Sequence, residues 1–226
     1  MPAARTRVAL GLVVVALCLA GCADFSDPAA AHGLTRSDLV AEVATQLGGS
    51  ASQTYLATYA LAGGETGTIA QDQRPPRAAY RYPGGELLVT GTTIARCAGR
   101  TCTVAAGVQP PAAAFADAHH AGLVNPSAVQ ELLTAARYDP DMTVEQHDTT
   151  VAGRHATCLR LGNVDKAETG TFSTCVTSDG LLGTFTGTLD GTEVEVALTN
   201  YADTVNDDPF EPPPGAKMLV GDSATG

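Results

Sequence analysis

Apolar residues recur along this chain at two periods, and the changes of period mark its elements. Val40, Val43, Ala44 and Leu47 fall on one helical stripe. Thr35 can cap that helix with Asp38 at the third helical position, and Leu34 and Leu39 can form a hydrophobic staple. Gly48-Gly49 ends it. From Thr54 to Ala106 the pattern becomes short β-branched and aromatic runs divided by Gly or Pro: 55–62, 66–70, 78–82, 87–90, 93–96 and 103–106. A helical section follows. Residues 112–121 are Ala-rich up to Gly122, and Ser127-Ala128-Val129-Gln130 reads as a capping box, with Val129, Leu132, Leu133 and Ala136 at helical spacing. Strands resume at 143–146, 156–161, 171–177, 181–186 and 193–201. In the last, Val194, Val196 and Leu198 alternate with polar neighbours, so one face is buried and the other is wet.

The two ends of the chain do not fit this scheme. Arg5 and Arg7 precede an apolar run from Val8 to Leu19, too short to span a bilayer of about 30 Å as a helix, so residues 1–21 read as a signal peptide. Leu19-Ala20-Gly21-Cys22 resembles the bacterial lipobox, in which cleavage before the cysteine leaves a lipidated N-terminus. Acyl chains of the palmitate class on Cys22 would then hold the protein at the outer face of a membrane. The alternative is an ordinary secretory signal with an incidental Cys22. Residues 22–33, rich in Ala, read as the lipidated cysteine and a tether, 34–214 as one domain, and 215–226, after Pro212–Pro214, as a disordered tail.

Composition narrows the function. The chain is 44% apolar and 16% charged, enough to bury a core. Its net charge is -11, and the signal removes two arginines, which argues against binding nucleic acid. Export to an oxidising compartment makes Cys97, Cys102, Cys158 and Cys175 disulfide candidates. Cys97 and Cys102 flank a Gly-containing loop between two strands. Cys158 and Cys175 face each other if 155–161 pairs with 171–176, so the expected bridges are 97–102 and 158–175. The rival is a four-thiolate zinc site, but neither spacing is C-x-x-C.

The chemistry-bearing residues form no convincing catalytic constellation, and no cofactor or metal is expected. His119-His120 point about 100° apart on a helix and read as solvated surface. Glu145, His147 and Asp148 alternate across a strand without a nucleophile elbow, and Gly221-Asp222-Ser223 lacks the strand and helix that would hold an oxyanion hole. Asp203, Asn206, Asp207, Asp208 and Glu211 offer oxygen ligands but not EF-hand spacing, and read as a solvated acidic loop.

Several stretches carry a family resemblance: Val124-Asn125-Pro126 leading into Leu132-Leu133, Thr143–Leu161 with the turn Val151-Ala152-Gly153-Arg154, and Val176-Thr177-Ser178-Asp179-Gly180-Leu181-Leu182. The ending from Leu198-Thr199-Asn200-Tyr201 to Phe210-Glu211-Pro212-Pro213-Pro214 completes them. In this order they resemble the LolA-like lipoprotein-carrier superfamily, and within it the LppX/LprG-type lipoproteins. The resemblance implies an α+β fold in which a strongly curved antiparallel sheet, a half-open barrel, is covered by a few helices and encloses an apolar cavity. The paired cysteines are not a general feature of that superfamily. The expected function is non-enzymatic: a lipoprotein on the extracytoplasmic face of the cell membrane that binds or carries lipid or lipoglycan acyl chains. Val129, Leu132, Leu133, Val194, Val196 and Leu198 are the candidate cavity residues. The alternative is an envelope sensor that uses the same sheet to bind an envelope protein.

Cys22→Ala should release the protein from the membrane, because the tether offers no second apolar or basic anchor. Detergent partitioning checks this; a mutant retained in the detergent phase contradicts the lipobox.

Overall fold

Thr35 opens the first helix through the expected capping box: its Oγ1 accepts from the Asp38 amide at 3.2 Å, and its own amide donates to Asp38 Oδ2 at 3.2 Å. The computed structural model describes residues 35–221, so the Leu34 half of the staple lies outside the described residues, as does the lipobox. Helix α1 (Arg36–Gly48) buries Leu39, Val40, Val43, Ala44 and Leu47, and it runs on through a 3-10 turn, Gly49–Ser52. The Ala-rich helical run is in two pieces, a 3-10 turn over Ala112–Phe115 and the short α2 (Ala116–His120). The capping residue of α3 (Pro126–Ala136) is Asn125 rather than Ser127. Pro126 takes the first helical position, where a missing N–H costs no hydrogen bond, so Ser127 falls inside the first turn and its Oγ accepts from Asn125 Nδ2 at 2.6 Å.

Two meanders, of six and five strands, and one final strand make a twelve-stranded, curved and unclosed sheet. The first is β1 (Tyr55–Leu61), β2 (Thr66–Gln73), β3 (Pro76–Tyr82), β4 (Gly85–Val89), β5 (Thr93–Ala98) and β6 (Thr101–Ala106). The second is β7 (Thr143–Val151), β8 (Arg154–Gly162), β9 (Thr171–Thr177), β10 (Leu182–Leu189) and β11 (Thr192–Ala202). Antiparallel pairing of β1 with β11 joins them, with a register shift between Thr58 and Tyr59. This is the half-open, helix-covered antiparallel architecture expected from the sequence.

The end of the chain departs from that expectation. β12 (Lys217–Val220) lies parallel to β6, pairing Lys217 with Thr101 and Val220 with Val104, where a disordered tail over 215–226 was expected. The pairing satisfies backbone groups on β6 that would otherwise form the sheet edge, and Met218, Leu219 and Val220 suit an extended backbone. Residues 222–226 lie outside the described residues.

Side chains alternate between an inner face, where the helices lie, and an outer face. One inner row crosses the first meander from Ala57 through Ile69, Tyr80, Leu87, Arg96 and Thr103 to Leu219. Helices α1 and α3 pack against each other, and their apolar stripes join buried residues of β1 and β8–β11 in one continuous core. On the outer face a smaller cluster, Ala70, Ala79, Leu88 and Ala95, is closed by Phe210. Arg77 lies 4.1 Å above the Phe210 ring and bonds both Asp72 Oδ2 and Asp207 Oδ1, at 3.0 and 2.6 Å. Arg81 donates to the carbonyl oxygens of Asp208 and Glu211. The acidic loop keeps its carboxylates exposed, in line with its reading as solvated, yet its backbone and Phe210 are docked on the sheet, held by two arginines on one face of β3.

Both expected disulfides are present, Cys97–Cys102 across β5–β6 and Cys158–Cys175 across β8–β9. The bridges span sequence separations of 5 and 17 residues, so the chain-entropy model gives about 2 and about 3 kcal/mol. Urea unfolding of the two double Cys→Ala variants should therefore show the larger loss at 158–175. A larger loss at 97–102 contradicts this ordering.

Candidate functional site

All six sequence-predicted cavity residues lie on the inner face, and all are buried in the one continuous core. Val194, Val196 and Leu198 come from β11, and Val129, Leu132 and Leu133 from α3. They are packed together with Phe185, Leu159, Leu161 and the α1 stripe.

The first meander is covered differently. Its roof is the 107–125 segment, which carries α2 and lays Ala114 and Phe115 over Leu87, Val89 and Ile94. Phe115 meets Tyr80 edge to face at 5.0 Å. Beyond Phe115 the inner row runs into exposed positions, Arg96, Thr103 and Leu219, where no helix covers the sheet among the described residues. Arg96 ties this shelf to the roof by bonding Asp117 of α2 at 2.8 Å.

His119 anchors the roof from below, and this corrects its reading as solvated surface. Its ring is buried, stacked 6.4 Å from Phe115 one turn earlier and reached by the tip of the β10–β11 hairpin. Nδ1 lies 2.6 Å from Asp190 Oδ2, and since a carboxylate only accepts, the ring N–H donates. Nε2 lies 2.7 Å from Asn125 Oδ1, and Asn125 in turn donates to Ser127. His120, one position on, is exposed and pairs with Thr192 Oγ1 at 2.7 Å. The series Asp190, His119, Asn125, Ser127 has the residue types of a hydrolytic relay but not its chemistry. An amide stands between imidazole and hydroxyl, and it cannot take the serine proton, so Ser127 has no base. What the series does is tie α2, the α3 N-terminus and the β10–β11 turn to one another.

A second feature went unnoticed in the sequence although its spacing was visible there: Tyr55 and Tyr59 share the inner face of β1, and Tyr80 faces them from β3. Burial is the main cause that holds all three phenols protonated. It raises Tyr59 and Tyr55 far above the usual tyrosine range and Tyr80 to about 12. The Tyr59 hydroxyl is enclosed and has no hydrogen-bond partner among the described residues. Tyr55 and Tyr80 line a partly open hollow with about 70 Å³ of room between the end of α1 and the first turn of α3. Ser50, Gln71, Ser127 and Gln130 complete its polar lining.

No family model and no curated protein matches the sequence. Solved structures do. The chain is similar to a conserved uncharacterized protein from Thermus thermophilus, with 9% identity and a TM-score of 0.50 over 81% of this chain and 99% of that one. It also matches MucB, with 13% identity and a TM-score of 0.46 over 80% of this chain and 65% of that one. LprF from Mycobacterium bovis gives 12% identity and a TM-score of 0.33 over 78% of this chain and 98% of that one. The likeness is one of fold. Among the described residues no helix is long and apolar enough to cross a membrane.

Because Val196 is 1% exposed within a packed cluster, Val196→Phe should overpack it and cost about 1–3 kcal/mol. Thermal melts check this. An unchanged melting temperature would mean that empty space adjoins Val196.

Proposed function

We propose that this protein is a lipoprotein of the cell envelope, anchored through Cys22 on the extracytoplasmic face of the membrane, that binds the acyl part of a lipid or lipoglycan without transforming it. The observation that carries the reading is the unequal roofing of the inner face. Over the second meander two packed helices fill the sheet, whereas over the first a short, mostly non-helical segment lies beside an uncovered shelf at Arg96, Thr103 and Leu219. At its α2 end that segment is tied down by polar contacts, Arg96 to Asp117, His119 to Asp190 and His120 to Thr192, and it is also anchored by the buried side chains of Ala114, Phe115, Ala118, Leu123 and Val124. The polar contacts contribute about 1 kcal/mol each, so a local opening of 112–121 is opposed by them and by the burial of Ala114, Phe115 and Ala118. Lifting it would bare Leu87, Val89, Ile94 and Phe115 as an apolar floor for an acyl chain.

A second reading, a protein-interaction module, is favoured by one specific observation. Three consecutive apolar residues of the edge strand β12 are exposed: Met218 at 49%, Leu219 at 40% and Val220 at 97%. An apolar edge strand is a template for another chain's strand.

Mass spectrometry of the organic extract from protein purified out of membranes separates the two readings. Stoichiometric lipid in the wild type supports the lipid-binding reading. Lipid-free protein that captures a specific envelope protein, with Leu219→Asp abolishing the capture, supports the module instead.

A further inference from the structure

We infer that the phenol-lined hollow between α1 and α3 is a binding site for a neutral hydrogen-bonding head group, of the ester or polyol class. The inference deepens the lipid reading by naming the polar part that the site would hold, but it stands on its own observations. Of the ten lining residues, six bring polar side chains, Ser50, Tyr55, Gln71, Tyr80, Ser127 and Gln130, and none is charged. A charged head would enter without a counter-charge, at a cost in a partly enclosed site that a neutral one avoids. Burial holds the phenols protonated; Tyr55 is already hydrogen-bonded to Ser50, and Tyr80 is the one left to serve as donor as well as acceptor.

The tyrosine cluster continues inward from the hollow. Tyr59 is near enough to Tyr55 and Tyr80 for each to feel the other's ionisation, and its hydroxyl is enclosed without a partner among the described residues. Tyr59 is not part of the lining; the lining groups without a hydrogen-bond partner among the described residues are the Tyr80 hydroxyl and the Gln130 side-chain amide, and a group that enters the hollow gains those bonds. The room, about 70 Å³, suits a head of a few heavy atoms and excludes an acyl chain, which would have to lie elsewhere. Ser127 belongs both to this hollow and to the series through Asn125 and His119, which puts the site at the foot of the roof segment. Head group and acyl chain would therefore be read by adjoining parts of the same inner face.

The probe is 1-butyrylglycerol, a neutral soluble ester-polyol with a chain too short to form micelles, added to isotopically labelled full-length mature protein and followed by amide NMR. The expected result is saturable shifts concentrated at Ser50, Ala51, Gln71, Ser127 and Gln130. Butyrate should give none there at the same concentration. Tyr80→Phe should weaken the affinity about fivefold, the effect of one neutral hydrogen bond. If Tyr80→Phe alters the fold, Gln130→Ala gives the same test from the half-buried rim. Shifts that never saturate, equal binding of butyrate, or affinity unchanged in both variants would show that the hollow holds water only, and would overturn the inference. Lipid in the organic extract together with a failed titration would leave the lipid reading standing and remove this site. A successful titration with a lipid-free extract would do the reverse.

Discussion

Bending a mostly antiparallel sheet of twelve strands into an open half-barrel forces its inner side chains together and obliges something to cover them. The second meander solves this with aliphatic stripes. α1 and α3 pack against each other and fill the hollow above β8–β11, so Val129, Leu132 and Leu133 meet the buried face that Val194, Val196 and Leu198 present. The first meander has no comparable helix among the described residues. Its inner row ends in Arg96, Thr103 and Leu219, and its cover is a segment with five α-helical residues in α2, too few to be stable without its contacts. One sheet thus has a half covered by two long helices and a half whose cover rests on a few polar joints and on the burial of a few side chains, Phe115, Leu123 and Val124 among them.

A second set of joints lies on the outer face. There, Arg77 and Arg81 occupy same-facing positions on β3 and hold the loop before the final strand by carboxylates, by carbonyl oxygens and by the Phe210 ring. Asp72 completes the clamp. Its carboxyl is held below the usual range first by the Arg74 backbone amide and then by Arg77, so this part of the clamp is intact above the ordinary aspartate pKa and lost as the pH falls through the lowered one. Glu86, beside Arg81, is pushed the other way because burial outweighs its partner. The clamp fixes where the chain crosses the sheet, and β12 can then add to β6.

Most of the scaffold was legible because its signals are local. Alternation in 193–201 and the capping box at Thr35 each depend on neighbours within a few residues, and the two disulfides follow once the hairpins are drawn. What escaped depends on contacts distant in sequence. β12 is a strand only because β6, more than a hundred residues earlier, offers it an edge. His119 is buried only because the β10–β11 turn, 71 residues on, brings Asp190 to it. The acidic loop carried a visible clue in Phe210, an aromatic with no reason to sit in water, and Arg77 and Arg81 shared a face to receive it. Asn125-Pro126 was likewise a better helix start than Ser127, by the preference of proline for the first helical position.

Hydrogen exchange by residue tests most directly whether the molecule is a rigid frame with one movable cover. Amides of 112–121 should exchange through local opening, far faster than those of Leu39–Leu47 or β11, and His119→Ala should speed them further while leaving the frame unchanged. If instead 112–121 exchanges only with the global unfolding of the core, the roof is part of the frame. In that case the inner face has no way to receive an acyl chain, which contradicts the lipid-binding reading.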